Sequence, residues 1–259
     1  RATPTREAWE CVAKAVASLG TSLLRVDRGL MVKGKRKKPA KTLELYEAEY
    51  CPYCRHVREA LTELDLDAMI YPIPKNAKRH VARLKKLGGE KKIPFLHDPN
   101  TGVKLYDSEA IVKYLYEEYA LEGEPVPERR ILTSTLASLT RAKFGGMYAA
   151  PNKPAPKRLE LYSFEASPYA RLAREVLCEL EIKYLLHNCG KTPGGHSDYY
   201  PPEIRHDKMK NYMPGTENRR KFLERTGFII MPYIFDPNTG VEMHQSRDVI
   251  AYLRETYGA

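Results

Sequence analysis

Two cysteines separated by two residues, in the stretch Cys51-Pro52-Tyr53-Cys54, are the side chains in this sequence best suited to do chemistry. A helix is predicted to begin at Pro52, so Cys51 should meet unpaired backbone N–H groups and the positive end of the helix dipole. Both features favour the thiolate, which lowers the pKa of the thiol and makes it nucleophilic at neutral pH. Cys51 is therefore the predicted attacking thiol. Cys54, one turn later, is placed to resolve a mixed disulfide.

A metal site is the other chemistry that this spacing allows, because a C-x-x-C pair can be half of a zinc site. The sequence contains no second C-x-x-C pair, which argues against zinc. His187, Cys189, His196 and His206 also fall close together, but their spacings match no familiar ligand pattern. No metal is therefore expected.

The chain is an internal duplication. A shift of 116 residues aligns residues 43–66 with residues 159–182, with 13 identities in 24 positions. A shift of 138 residues aligns IPFLHDPNTGV with MPYIFDPNTGV, so the second copy carries 22 additional residues, which fall within 186–226. This Pro-, Gly- and Tyr-rich insertion is interpreted as an ordered loop that covers a face or meets a partner. The first alignment also extends backwards, so a helix is predicted ahead of each copy.

The hydrophobic pattern and the turn residues of the first copy predict the element order βαβ–α–ββα. The predicted strands are 43–47, 68–73, 93–97 and 103–106, and the predicted helices are 52–64, 77–87 and 108–119. Ser108 is the predicted N-cap of the last helix. This order resembles that of the thioredoxin superfamily, so the predicted fold class is α/β, with two tandem thioredoxin-fold units. The predicted segments are 1–42 (helix and basic linker), 43–120 (first domain), 121–158 (repeated helix and linker) and 159–259 (second domain).

The net charge of +10 lies outside the two predicted domains. Residues 1–42 carry +8 and residues 120–158 carry +4, whereas each domain core is close to neutral. The densest basic run is Lys33, Lys35, Arg36, Lys37 and Lys38. It is interpreted as a solvated linker, or as a segment that docks to an acidic protein or a membrane-complex surface.

Composition and motifs exclude several classes of protein. No nucleic-acid-binding motif accompanies the basic run, so no nucleic acid is expected as a partner. No apolar run reaches 18 residues, so the chain is not expected to be transmembrane. Five cysteines in 259 residues are too few for a disulfide-stapled secreted scaffold, and a reducing compartment is predicted.

The motif CPYC before a helix, followed by IPFL, DPNTG and LYDSEAIVKYL, resembles glutaredoxins and the N-terminal, glutathione-binding domain of glutathione transferases. The tandem arrangement resembles a family of double thioredoxin-like proteins of plants and algae. The resemblance implies a chloroplast location, in the stroma or at the stromal face of the thylakoid. It also implies thiol–disulfide exchange, with glutathione as cofactor and glutathione or protein disulfides as partners.

The resemblance also implies residues that bind glutathione or a substrate. Ile93-Pro94 resembles the cis-proline site of the superfamily, and Asp107-Ser108 resembles the acidic-Ser pair that binds the γ-glutamyl end. The implied binding residues are Tyr53, Ile93, Pro94, Asp107 and Ser108, and their counterparts in the second copy are Ser167, Met231, Pro232, Gln245 and Ser246. Ser167 is either a serine that hydrogen-bonds a glutathione thiolate, as in serine-type transferases, or a purely structural residue.

Three departures from the resemblance bear on function. Glu47 and Glu49 stand where glutaredoxins commonly carry a basic residue, and their carboxylates are expected to oppose the thiolate. The second copy has Ser167-Pro168-Tyr169-Ala170 in place of CPYC, so it cannot perform dithiol exchange at that position. The large helical domain of glutathione transferases has no counterpart in the sequence. Cys178, where the first copy has Thr62, is expected to be a buried or half-buried small residue.

Two functional hypotheses from different classes follow. The first is a glutaredoxin-like thiol–disulfide oxidoreductase that acts through Cys51 and Cys54. The alternative is a non-catalytic thioredoxin-fold scaffold or assembly factor that binds a plastid protein complex of the photosynthetic membrane. Glutathione conjugation is a third possibility, disfavoured by the missing helical domain.

Overall fold

The computed structural model describes residues 28–34, 36–121, 125–127, 145–192 and 214–259. The two helices predicted ahead of the domains lie outside these residues, as do Cys11, His196 and His206. Within the described part of the chain, no helix is both long enough and apolar enough to cross a membrane.

The first unit contains the predicted elements in the predicted order. They are β1 (Leu43–Glu47), α1 (Pro52–Glu63), β2 (Ala68–Pro72), α2 (Val81–Gly88), β3 (Phe95–His97), β4 (Lys104–Tyr106) and α3 (Ser108–Tyr119). The helix predicted from residue 77 begins only at Val81. The backbone N–H groups of Lys78 and Arg79 donate instead to the Glu181 carboxylate, at 2.9 and 2.7 Å, which keeps this segment out of the helix.

The second unit repeats this arrangement. Its elements are β5 (Leu159–Ser163), α4 (Pro168–Glu179), β6 (Tyr184–Asn188), α5 (Glu217–Thr226), β7 (Tyr233–Asp236), β8 (Val241–His244) and α6 (Ser246–Tyr257). In each unit the Asp of the DPNTG turn accepts hydrogen bonds from two tyrosines of the last helix. Tyr114 and Tyr119 donate to Asp98, and Tyr252 and Tyr257 donate to Asp236. The α/β fold with two thioredoxin-like units is thus confirmed.

The two units form one continuous eight-stranded sheet with the order β4-β3-β1-β2-β6-β5-β7-β8. Strands β2 and β6 join the units through antiparallel pairing, in which Met69 lies opposite Leu185. Met69 and Leu185 are equivalent positions under the 116-residue shift. The two copies of this position face each other, so the junction has pseudo-two-fold symmetry about this pair. One apolar cluster, which includes Leu45 and Val57 from the first unit and Leu161 and Val176 from the second, extends across both.

The basic run at residues 33–38 forms ion pairs with three carboxylates of the first unit. Lys33 pairs with Glu63, Arg36 and Lys38 pair with Asp65, and Lys37 pairs with Glu118, while Lys35 lies outside the described residues. Ion pairs thus tie the run to the first unit, while Lys37 and Lys38 stay exposed to solvent. It is a strap held along the end of α1 and against α3, because carboxylates there attract its cations.

Candidate functional site

Cys51 caps the N-terminus of α1, as the sequence predicts. Its backbone is extended (φ −75°, ψ 121°), Pro52 follows at the first helical position, and the backbone N–H of Cys54 donates to Cys51 Sγ at 3.5 Å. The Cys54 thiol also donates to Cys51 Sγ, and this bond lowers the pKa of Cys51 to about 7 against the opposing effect of burial. The backbone N–H groups of Cys54 and Tyr53 and the charge of Arg58 act in the same direction. Cys51 is thus substantially ionised at neutral pH.

Cys54 lies deeper than Cys51. Its side chain is fully buried, whereas Cys51 keeps 7% of its surface exposed. Burial, the hydrogen bond to Cys51 and the nearby charges of Cys51 and Glu47 raise the pKa of Cys54 well above its usual value. Both residues are free thiols. The pair therefore consists of one partly accessible, ionisable sulfur and one buried, protonated sulfur that is hydrogen-bonded to it.

The two glutamates before the motif do not act as the sequence suggests. Glu47 pairs with Arg58, and Glu49 accepts from Arg174 at 3.1 Å, so each carboxylate faces a buried guanidinium. Neither is among the main influences on Cys51, the pKa of which falls rather than rises. The expectation that Glu47 and Glu49 oppose the Cys51 thiolate is therefore wrong, because the arginines compensate their charge.

The arginines and glutamates are exchanged between the units. Arg58 Nε of the first unit donates to Glu165 Oε2 of the second at 2.9 Å. Arg174 Nε, the counterpart of Arg58, donates to Glu49 Oε2, and Glu49 is the counterpart of Glu165. All four side chains are at most 3% exposed. Burial by itself would raise the pKa of Glu165, but the surrounding guanidinium groups hold it well below its usual range. Each unit therefore supplies a guanidinium group that binds the loop preceding the first helix of the other unit.

The bonds Ile93–Pro94 and Met231–Pro232 are both cis, as the resemblance implies. Ile93 packs against the cluster that contains Cys51 and Cys54, which brings the cis-proline site to the cysteine pair. Met231 packs instead against an aromatic cluster that includes Tyr162, Phe222 and Tyr233.

The N-cap of α3 is Asp107 rather than Ser108. Asp107 Oδ1 accepts from the backbone N–H groups of Glu109 and Ala110, at 2.9 and 3.2 Å. A carboxylate one residue earlier reaches these donors, so the prediction of Ser108 as the cap was wrong. The Ser108 hydroxyl is buried and has no hydrogen-bond partner among the described residues. Asp107 is exposed, so it is the member of this pair that a ligand can reach.

The second unit repeats the backbone of this site without its thiols. Ser167 caps α4, and the backbone N–H of Ala170 donates to Ser167 Oγ at 3.2 Å. Gln245 makes no capping bond through its side chain, and Ser246 is buried. Tyr53 and its counterpart Tyr169 are 43% and 54% exposed, so the residue after each helix-starting proline faces solvent.

Sequence reasoning missed Tyr50, which packs beside the cysteine pair, and two residues around it, Lys75 and Tyr148. Tyr50 packs against the cluster of Cys51 and Cys54, and Lys75 Nζ lies 5.7 Å from the centre of the Tyr50 ring. Lys75 also lies 5.3 Å from the ring of Tyr148, a residue of the linker between the units. The position of Tyr50 next to Cys51 was a usable signal. Lys75 and Tyr148 carried none, because only the fold brings them together.

The insertion region shows no metal centre in its described part. His187 lies between Asp67 and Glu160, with nitrogen–oxygen distances of 3.1 and 3.3 Å, and Cys189 is buried in the aromatic cluster. Within the described ranges, no three His, Cys, Asp or Glu side chains are arranged to hold a metal ion.

Comparison with known proteins identifies a family whose profile matches both units. The profile described as "Glutathione S-transferase, N-terminal domain" matches residues 45–125 and residues 161–259, which is more than half of the chain. No curated protein matches.

Two solved structures of a Bombyx mori glutathione transferase are similar to the chain. The first is 24% identical over 36% of this chain and 43% of that chain, with a TM-score of 0.31. The second, described as a complex with GTT, is 22% identical over 41% of this chain and 50% of that chain, with a TM-score of 0.32. The chain thus covers half or less of these transferases. On the two profile matches, the chain belongs to the glutathione S-transferase N-terminal domain family and contains this domain twice.

Proposed function

We propose that this protein is a glutathione-linked thiol–disulfide oxidoreductase that acts through Cys51 and Cys54. The observation that carries the proposal is the hydrogen-bonded pair of sulfurs at the start of α1. The pKa of Cys51 is lowered to about 7 and that of its partner Cys54 is raised. A thiolate that forms at neutral pH next to a protonated second thiol is the arrangement that disulfide exchange requires.

The reaction consists of two exchanges that balance. The Cys51 thiolate attacks one sulfur of a disulfide substrate, and the other sulfur leaves as a thiolate. Cys54 then loses its proton and attacks Cys51 Sγ, which releases the second half of the substrate and leaves a Cys51–Cys54 disulfide. Two glutathione thiols restore the dithiol and become glutathione disulfide.

Three features of the first unit support glutathione as the reductant. Ile93, before the cis-proline, packs beside the cysteine pair, where its backbone can meet an extended peptide. Asp107 presents an exposed carboxylate at the start of α3, suited to the amino group of a γ-glutamyl residue. The ammonium of Lys75, an exposed residue, lies 5.7 Å from the ring centre of Tyr50, which packs against the cysteine pair, and it suits a carboxylate.

Cysteine variants test the proposal, with turnover of a small glutathione mixed disulfide as the readout. We expect Cys51→Ser to lower turnover by at least about 100-fold, because a hydroxyl does not ionise at neutral pH. We expect Cys54→Ser to accumulate a glutathione adduct on Cys51, detectable by mass spectrometry. Cys189→Ala, a substitution of a cysteine in the aromatic cluster, serves as the control. Equal turnover by wild type and Cys51→Ser would refute the proposal.

A scaffold function is the second candidate, and exposed tyrosines favour it. Tyr53, Tyr148 and Tyr169 are 43–54% exposed, and aromatic side chains of this kind are enriched at protein interfaces. The internal pairing of the basic strap weakens the case for docking through charge. A stoichiometric partner that binds the variant lacking both Cys51 and Cys54 would favour the scaffold. The chloroplast location and the photosynthetic membrane partner remain predictions from the resemblance.

A further inference from the structure

A third cysteine reaches the redox pair from the other unit. Cys178 lies on α4, is 1% exposed, and packs in one cluster with Ala48, Cys51 and Cys54. The sequence places it 124 residues beyond Cys54, with no signal that the two residues meet. The pseudo-two-fold junction brings them together, because the last turn of α4 lies against the loop that leads into α1.

The groups around the two buried sulfurs show that they share one environment. The backbone N–H of Ala48 favours the thiolate of Cys54, and that of Glu49, the next residue, favours the thiolate of Cys178. The thiol of Cys178 also donates to the Gly146 carbonyl at 3.4 Å. Tyr50 is near all three thiols, since Cys51, Cys54 and Cys178 each contribute, after burial, to raising its pKa to about 12.

The symmetric position shows what a purely structural residue does at this place. Thr62, the counterpart of Cys178, accepts from the backbone N–H of Glu165 at 3.2 Å and bonds Asn188 Oδ1 at 2.8 Å. A threonine hydroxyl therefore suffices to hold the crossing between helix and loop. Sulfur stands only at the crossing that faces the two redox cysteines.

We propose that Cys178 is a third redox thiol, which takes the disulfide from the Cys51–Cys54 pair and forms a Cys54–Cys178 bond between the units. The proposal rests on the function proposed above. Cys178 loses its proton and attacks Cys54 Sγ of the Cys51–Cys54 disulfide. The Cys54–Cys178 bond forms, the Cys51–Cys54 bond breaks, and Cys51 leaves as a thiolate. The exchange is redox-neutral and needs no further oxidant.

The direction of this exchange follows from the environments of the three sulfurs. Cys51 is the best leaving group, because its hydrogen bonds stabilise the thiolate and lower its pKa to about 7. Burial raises the pKa of Cys178 well above the usual value, so its attack on the disulfide is slow. The reverse step would have to release Cys178 as a thiolate, which the buried site disfavours. The expected outcome is a free Cys51 thiolate beside a bond that locks α1 to α4.

Disulfide mapping tests the proposal. The reduced protein is treated with glutathione disulfide, its remaining thiols are alkylated in urea so that buried thiols also react, and it is digested with trypsin without reduction. Cleavage after Lys41, Arg55, Arg174 and Lys183 puts Cys51 and Cys54 in peptide 42–55 and Cys178 in peptide 175–183. We expect these two peptides to be linked in the wild type. Recovery of Cys178 only as an alkylated free thiol would overturn the proposal.

Three variants assign the bond. Cys178→Thr, which installs the residue of the first unit, should keep the fold and leave only the Cys51–Cys54 link within peptide 42–55. Cys54→Ser should lose the link to peptide 175–183. A link that persists in this variant would assign the exchange to Cys51 and overturn the pairing. Cys51→Ser, oxidised with hydrogen peroxide, should form the Cys54–Cys178 bond directly, with two molecules of water as the other product.

The same experiments separate this inference from the proposed function. If glutathione disulfide leaves the protein reduced but peroxide links Cys54 to Cys178, the glutathione-linked function fails and the three-thiol site stands. If Cys51→Ser loses turnover while Cys178 stays free under both oxidants, the function stands and this inference fails.

Discussion

The two units place different atoms on nearly the same backbone. Cys51 (φ −75°, ψ 121°) and Ser167 (φ −66°, ψ 114°) each cap a helix that begins with proline, and each accepts from the backbone N–H three residues later. Both helix starts therefore offer the same partial positive charge. Only the sulfur of Cys51 ionises near neutral pH. The fold prepares both positions for an anion, and the side chain decides whether redox chemistry follows.

The units also differ in the side chain that pairs with the buried arginine of the first helix. In the first, Arg58 pairs with the carboxylate of Glu47, whereas in the second Arg174 donates to the neutral hydroxyl of Ser163 at 2.9 Å. Burial raises the pKa of Glu47 to about 7, against the attraction of Arg58. The first site therefore carries a buried carboxyl group at position 47 near Cys54, where the second site has the hydroxyl of Ser163.

Grafting the motif into the second unit gives the largest expected effect. In a background without Cys51 and Cys54, we expect Ser167→Cys with Ala170→Cys to restore reaction with glutathione disulfide, a gain on the order of 100-fold or more over that background. The pKa of the new thiol at position 167 should lie near that of Cys51, because the backbone of the helix start is nearly the same. Thiol titration followed by alkylation measures it. An unreactive graft would show that the second backbone is not equivalent.

The exchanged arginines distinguish a structural role from a chemical one. We expect Arg58→Met and Arg174→Met each to lower the free energy of unfolding by about 3–5 kcal/mol, because each leaves buried carboxylates unpaired. Only Arg58→Met should also raise the pKa of Cys51, since Arg58 is among the groups that lower it.

Urea unfolding and thiol titration measure the two effects. Lys113→Met serves as the control, because it breaks an exposed pair with Glu117 on α3. Equal shifts of the Cys51 pKa in both arginine variants would contradict the assignment.

The alkylation rates of the three thiols at the junction should differ in their dependence on pH. Below about pH 7 the alkylation rate of Cys51 should fall about tenfold per pH unit, because the thiolate is lost as pH falls through the folded pKa of about 7. Cys54 and Cys178, with raised pKa values, should be alkylated far more slowly than Cys51 in the folded, reduced protein at neutral pH. Alkylation followed by peptide mapping measures all three. A Cys51 midpoint near that of the urea-unfolded chain would remove the basis for the redox proposal.

The smallest expected effect concerns the caps of the two last helices. Asp107 accepts two backbone N–H bonds, while Gln245 makes no capping bond through its side chain. We expect Asp107→Gln to cost about 1 kcal/mol of unfolding free energy and Gln245→Asp to gain a similar amount. Urea unfolding of both variants measures these two changes in unfolding free energy. A loss in both would mean that the caps are not interchangeable.

Much of each unit could be predicted from local patterns. The period of apolar residues, the turn residues and the internal alignment predict β1, α1 and α3, because these depend on residues near in sequence. The cis-proline positions followed from the family resemblance. The error in the start of α2 has a long-range cause. Residues 78–79 leave the helical pattern because their N–H groups bond Glu181, a residue of the other unit.

The sequence by itself determined that one thiol stands at a helix start and that the chain is a duplication, since both follow from residue types and their spacing. Only the tertiary structure decided how the copies meet. The antiparallel pairing of β2 with β6 exchanges arginines and glutamates between the units, and it carries Cys178 to the redox pair. Contacts across more than 100 residues depend on the packing of whole elements, which no local pattern encodes.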